Sequence, residues 1–173
     1  MAISADMDRV FEIGPVFWAE KSNTGRHLTE FTGVDLEMAL DEENTNYMEV
    51  IELIIDMLLD IIKRTEKTSS KQIEQIWECD WLYIDEIPVI TFKEAINFLR
   101  TDGIEQDFYE DLSTENEKRL GEIISWIYGQ DMFVVHEYPS RVWPFYTMVC
   151  EKDPNYSKSY DFFLRGEEIL SGA

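Results

Sequence analysis

Phe11-Glu-Ile-Gly-Pro-Val-Phe-Trp-Ala-Glu-Lys-Ser-Asn-Thr-Gly-Arg-His-Leu-Thr-Glu-Phe-Thr-Gly-Val-Asp-Leu-Glu37 reads as a strand, a polar loop and a returning strand. Residues 10–20 are apolar enough for a strand, with Pro15 near the middle. Proline removes a ladder donor, so an edge or a bulge is expected there. Residues 21–27 form a polar loop containing Asn23 and Gly25, and residues 28–40 alternate well enough for the second strand. Strand, loop and returning strand make an antiparallel pair. A period of two puts Phe31, Gly33, Asp35 and Glu37 on one face. An aromatic, a glycine and two carboxylates do not make a core face, so this face is solvated or lines a site.

Outward from this hairpin, residues 41–46 form an acidic turn. Residues 47–67 carry dense helical periodicity in Val50, Ile51, Ile54, Ile55, Leu58, Leu59, Ile61 and Ile62. Lys63 and Arg64 fall in the last turn, where cations suit the helix dipole. A break is expected at Ser69-Ser70, with a shorter helical piece at 71–77. Residues 81–88 show no clear period. Thr91-Phe-Lys-Glu94 is a capping-box pattern, so a helix is expected over 92–100, ending near Gly103. A further helix begins at Ser113 or Thr114 and stops at Gly129. Residues 132–136 read as a strand, and residues 145–150 and 160–165 as two more, joined by a turn containing Pro154. The mixture is α+β, an antiparallel sheet flanked by helices.

Composition bounds the rest. In 173 residues, 45% are hydrophobic, with five Trp, eight Tyr and ten Phe, which is ample for the core of one domain. Fifteen basic residues against 36 acidic ones give a net charge of −21. That balance opposes unaided nucleic-acid binding, because phosphate neutralisation needs Lys and Arg. Cys79 and Cys150 match no metal spacing and read as reduced cytosolic thiols. The apolar cluster at 51–62 is broken by Glu52, Asp56 and Asp60 and is too short to span a bilayer. No basic, apolar leader is present at the N-terminus. These features make the cytoplasm the expected compartment, with no membrane partner. His136 lies in an apolar strand and reads as a satisfied core residue, not a ligand.

Two motifs carry a resemblance. Phe17-Trp-Ala-Glu20, a short polar loop and Arg26-His-Leu-Thr-Glu-Phe31 resemble motif 2 of class II aminoacyl-tRNA synthetases, specifically archaeal and eukaryotic aspartyl-tRNA synthetases. Trp143-Pro-Phe-Tyr-Thr-Met148 resembles that family's Arg-Pro-Phe-Tyr-Thr-Met. Ser159-Tyr-Asp-Phe-Phe-Leu-Arg-Gly-Glu-Glu-Ile-Leu-Ser-Gly-Ala173 resembles the stretch that leads into its Gln-Arg. Asp111-Leu-Ser-Thr-Glu-Asn-Glu-Lys118 fits between them in order. The resemblance implies a class II synthetase-like catalytic core, truncated. It would be one partial catalytic domain over 1–173, with motif 2 at 11–38 and an ATP/Mg strand segment at 159–173.

The family's reaction is ATP-dependent activation of aspartate and its transfer to tRNA, so ATP and Mg²⁺ are the implied cofactors. By resemblance, Glu20 reads the adenine amino group, Arg26, His27 and Leu28 contact ATP, and Phe31 stacks on adenine. Glu168 completes the implied ATP contacts. Asp35 falls near the substrate ammonium, and Ser171 near both the metal and the aspartate. Asp161, Glu168 and Ser171 are the implied metal group, and hard oxygen ligands suit Mg²⁺.

The departures bear on activity. Trp18 and Trp143 stand where the family has arginine, and Gly25 where it usually has histidine. An indole carries no charge and one donor, so it does not replace a bidentate guanidinium. The chain stops before the Gln-Arg, and neither motif 3 nor the dimer-forming motif 1 lies within it. Alone it is therefore expected to be inactive and to bind tRNA weakly. Family members are homodimers, but the element that makes the dimer is not among these residues. The alternative reading is a shortened, non-catalytic paralogue that acts as a nucleotide-binding or protein-interaction module.

Overall fold

The structure is a computed structural model that describes residues 3–19, 28–40, 46–76, 82 and 84–173. It divides into two compact units, Met1–Val50 and Ile51–Ala173.

In the first unit, β1 (Arg9–Phe17) and β2 (Glu30–Met38) form a two-stranded antiparallel sheet. The register runs from Arg9 opposite Met38 to Phe17 opposite Glu30. Pro15 sits opposite Thr32 without interrupting the pairing. Among the described residues the sheet has only these two strands, so Pro15 sits on an edge strand, where a missing donor is tolerated. The period-two face is as expected: Phe31, Gly33, Asp35 and Glu37 lie across from Val16, Gly14, Glu12 and Val10. A Cβ on Gly33 would stand 2.7 Å from the Val16 side chain, so glycine lets that cross-strand neighbour lie over the backbone.

The helix α1 runs unbroken over Met48–Ile76, where a break had been expected at Ser69-Ser70. Serine costs only about half a kcal/mol relative to alanine in a helix, and neither Gly nor Pro occurs within the element. The hydroxyls of Thr65 and Thr68 donate to Ile61 O and Arg64 O, both at 2.8 Å, and so bond within the helix instead of competing with it. Arg64 and Asp60 pair one turn apart at 2.6 Å.

The second unit holds a four-stranded sheet in the order β3-β4-β5-β6. Its strands are β3 (Val89–Thr91), β4 (Met132–His136), β5 (Tyr160–Leu164) and β6 (Glu167–Gly172). The β4–β5–β6 ladders are antiparallel as expected, but β3 pairs with β4 in parallel. Three residues are too few to show a period, which is why β3 is invisible in the sequence.

Two helices, α2 (Phe92–Thr101) and α3 (Thr114–Tyr128), cover one face of this sheet. They supply Phe92, Ala95, Ile96, Leu99, Leu120 and Ile124 to a buried cluster with Phe133, Val135 and Phe163. The phenylalanine rings of Phe133 and Phe163 stack at 5.0 Å. The opposite face is sealed by Met132, Val134, Tyr160 and Phe162, so β4 is apolar on both sides.

Both helices begin at the caps their sequences announce. Thr91 accepts from Glu94 N at 3.2 Å, and Thr91 N donates to Glu94 Oε2 at 2.7 Å. The Thr91 N–H and the Thr91 hydroxyl, which also donates to Glu94 Oε2 at 2.7 Å, hold the Glu94 carboxyl below its usual range. Thr91→Ala is expected to cost about 1 kcal/mol, read as a drop in the thermal unfolding midpoint. No change in midpoint would show that tertiary packing alone fixes the start of α2. Ser113 caps α3, and Gly129 closes it in the left-handed region at φ 66°.

The strand expected over 145–150 does not form. Phe145 is fully exposed and Tyr146 is 76% exposed, so neither alternating face finds a core. Pro144 starts a turn instead, closed by Thr147 N to Pro144 O at 2.9 Å. A single bridge, Val149 to Ser157, is the only trace of pairing in this stretch.

Candidate functional site

On the first unit, the candidate residues that are described are Leu28, Phe31 and Asp35. Glu20, Arg26 and His27 lie outside the described residues. Leu28 is exposed, and Asp35 sits opposite Glu12 on the Phe31 face. Two carboxylates facing each other across a ladder repel, a cost tolerated where water or a cation reaches both. Trp18 N donates to Thr29 O at 2.9 Å, extending the ladder by one step. That step brings the Trp18 ring to the Phe31 ring, 6.4 Å between centroids and tilted 30°. The indole is 65% exposed, so it forms an open aromatic pair on this face and is not a core anchor.

On the second unit, the β5–β6 ladder assembles Asp161, Glu168 and Ser171. Asp161 is paired with Ser171, and Glu168 with Phe163. A register shift between Phe162 and Phe163 leaves Ile169 as the extra residue, so Glu168 lies on the same ladder step as Phe163. Asp161, Phe163 and Val135 share the helix-covered face, which explains why a carboxylate is 91% sequestered. Asp161 and Glu168 interact electrostatically, while Glu168 and Ser171 are exposed.

Burial pushes the Asp161 carboxyl up to about 8, and the Glu168 charge adds to the rise. A contact with the Tyr138 hydroxyl works in the opposite direction. That hydroxyl and Asp161 Oδ1 are both sealed from solvent, and neither has a partner of good hydrogen-bond geometry. Their contact is therefore a loose one, felt electrostatically and not closed. Tyr138 is the residue sequence reasoning missed. Its only signal was a Tyr-Pro pair just beyond an apolar strand.

The chemistry of the donor set fits Mg²⁺. Asp161 and Glu168 offer hard carboxylate oxygens, and Asp161 Oδ1 is buried without a hydrogen-bond partner. No group of three or more His, Cys, Asp or Glu able to hold a metal occurs among the described residues. Two carboxylates are the usual protein contribution to a Mg²⁺ that arrives with nucleotide phosphates, and too few for a free-standing cage.

The other candidates are structural. His136 is half-buried, and burial lowers its imidazole pKa, as suits a neutral core residue. Cys150 is a buried free thiol whose pKa burial raises, the opposite of a reactive cysteine. Cys79 lies outside the described residues. Trp143 packs at 6.3 Å from the Tyr138 ring, so it is a packing residue at the edge of the core.

The profile of the tRNA synthetases class II (D, K and N) matches residues 1–173. The cytoplasmic aspartate–tRNA ligase of Rattus norvegicus is 46% identical over the whole chain, which covers 35% of that protein. The aspartyl-tRNA synthetase structure from Entamoeba histolytica superposes with a TM-score of 0.94 at 42% identity, over 99% of this chain and 36% of that one. The asparaginyl-tRNA synthetase of Pyrococcus horikoshii, solved with asparaginyl-adenylate, gives 0.83 at 27% identity, over 96% of this chain and 37% of that one. The chain thus spans about a third of the length of the curated relatives it matches. With the whole of residues 1–173 matched by that family, the chain belongs to the class II tRNA synthetases of the D, K and N group, and the relatives it resembles most strongly among those compared are aspartyl-tRNA synthetases.

Proposed function

We propose that these residues are part of the catalytic domain of an aspartate–tRNA ligase, and that they contribute to its ATP and aspartate sites. The observation that carries this reading is the β5–β6 ladder. It sets Asp161, the buried acidic residue among those described, beside Ser171 and electrostatically coupled to Glu168. Activation joins a carboxylate to the α-phosphate of ATP, so two anions must meet. A Mg²⁺ held by Asp161 and Glu168 would neutralise phosphate charge. Within this chain's own chemistry, the sheet would hold the two carboxylates in place and Ser171 would offer a hydroxyl beside them. On the hairpin, the half-buried Phe31 would take the adenine, with Asp35 near the substrate ammonium. ATP, aspartate and tRNA are the proposed partners. With this chain's charge of −21, tRNA affinity would have to come from other parts of the protein. The names of the relatives point to the cytoplasm, and no helix among the described residues is long and apolar enough to cross a membrane.

One observation favours the second reading, a non-catalytic nucleotide-binding module. Trp18 occupies an arginine position and lies against the ring proposed to receive adenine. Without the guanidinium, the phosphates lose a charge-assisted contact worth about 1.5–3 kcal/mol. ATP is expected to bind at hundreds of micromolar or weaker, about −5 kcal/mol or less favourable. Trp18→Arg should tighten ATP about tenfold and leave adenosine unchanged, because only ATP carries the phosphates. Calorimetry on both proteins with both ligands tests this. Equal gains for the two ligands would mean that Trp18 acts by obstructing the ring face. No binding by either protein would sink the nucleotide-site reading for these residues.

A further inference from the structure

The turn after β4 places an aromatic hydroxyl where strand alternation would not. Strict alternation puts Phe133, Val135 and residue 137 on the helix-covered face, and His136 and residue 138 on the other. Yet Tyr138, not Glu137, belongs to the buried cluster with Phe133, Val135 and Phe163. Glu137 breaks the alternation: its φ is 60°, in the left-handed region that costs a non-glycine residue energy. The strained turn is locked from both sides. Glu137 N donates to Ser159 O at 3.0 Å, and Ser157 N donates to Tyr138 O at 2.8 Å. The Ser157 hydroxyl donates to the same carbonyl at 3.0 Å. The Tyr138 ring is clamped against Phe92 at 4.9 Å and is 2% exposed. Its hydroxyl and Asp161 Oδ1 are thus both sealed and unpartnered, while the phenol and the carboxyl are close enough to interact electrostatically.

A buried phenol rarely goes without an acceptor, and a buried carboxylate rarely without a donor. We propose that Tyr138 is a positioning residue for Asp161: its hydroxyl donates to Oδ1 and fixes the rotation of the carboxylate that faces the divalent cation. The strained Glu137 turn is the device that delivers the hydroxyl. The loose contact closes when a cation draws Asp161 into its ligating orientation. This rests on the reading of Asp161 and Glu168 as cation ligands and adds an outer-shell partner to it. Such partners typically set metal affinity by 10–100-fold.

The test uses the 173-residue chain with Mn²⁺ titrated in the presence of a fixed excess of ATP, followed by paramagnetic broadening of the Asp161 and Ser171 amide signals. Tyr138→Phe keeps the ring and its packing. It is expected to raise the Mn²⁺ concentration for half-broadening about tenfold while leaving the thermal midpoint unchanged. Asp161→Asn should abolish the broadening at these amides, and adding Tyr138→Phe to it should change nothing further. If Tyr138→Phe titrates like the wild type while Asp161→Asn does not, the positioning role is overturned and the cation site stands. If Asp161→Asn also titrates like the wild type, the cation site itself is wrong and the proposal goes with it.

Discussion

Gly121→Ala, which improves the intrinsic helix propensity of α3, is expected to destabilise the protein by about 2–3 kcal/mol. In an exposed helix the exchange would gain about 1 kcal/mol. Here a Cβ at residue 121 would stand 2.5 Å from Gly166 N and 2.6 Å from Gly166 Cα. The collision is with backbone, so no side-chain rotation relieves it. Gly166 is equally constrained, because its own Cβ would lie 2.7 Å from Lys118 Cα, and its φ is +75°. Arg165, at φ 52°, and Gly166 form the two-residue turn between β5 and β6, with both central residues left-handed, as hairpins of this length prefer. Helix α3 therefore rests directly on the turn of the hairpin that carries Asp161 and Glu168. Overpacking at such a site costs typically 1–3 kcal/mol, occasionally more, and outweighs the propensity gain. The thermal midpoint should fall by roughly 8 °C. Gly129→Ala is the comparison: its φ is also positive, but nothing lies within 4 Å, so only the backbone strain of about 1 kcal/mol applies. A Gly121 variant as stable as the Gly129 variant would refute the backbone contact.

Asp161→Asn is expected to stabilise the metal-free chain in a pH-dependent way. The folded carboxyl titrates near 8, against an ordinary value of 3.8. Between these values the folded state keeps a proton that the unfolded state has released. Stability therefore falls as pH rises through this window, and the loss is complete above about pH 8. The whole shift corresponds to at most about 6 kcal/mol. Relaxation and water entry reduce it, and about 2–3 kcal/mol is the expected difference. Asparagine keeps the shape and never ionises, so urea unfolding in chelator should show the two proteins alike near pH 4 and the variant ahead at pH 8. Mg²⁺ added at pH 8 should narrow the gap by supplying the missing counter-charge. A difference that stays flat across pH would mean that Asp161 is ionised and compensated in the folded chain.

Both predictions depend on approaches between segments distant in sequence. Gly121 reads as an ordinary weak spot in a helix until Gly166 is placed against it. Asp161 reads as one acidic residue among 36 until the sheet turns it under two helices. The same limit explains the errors. Residues 145–150 look like a strand because aromatic and β-branched side chains favour sheets, but no core surface is left for them to cover. The serine pair at 69–70 looks like a break because serine prefers caps, but that preference is small beside the continuity of a long helix. Tyr138 drew no notice because its role depends on a left-handed residue before it, and nothing in Glu137 announces a positive φ.

The sequence by itself determined the hairpin of β1 and β2 with its period-two face, the capped starts of α2 and α3, the buried strand β4 and the family. Each of these is written in nearest-neighbour terms: alternation, capping boxes, turn residues and ordered motifs. Only the tertiary structure decided the parallel seat of β3, the backbone contact between α3 and the β5–β6 turn, and the pairing of Asp161 with Ser171. It alone set the loose contact between Asp161 and Tyr138. The physical reason is that burial, and with it the cost of a charge or an added methyl group, is a property of what the rest of the chain brings alongside.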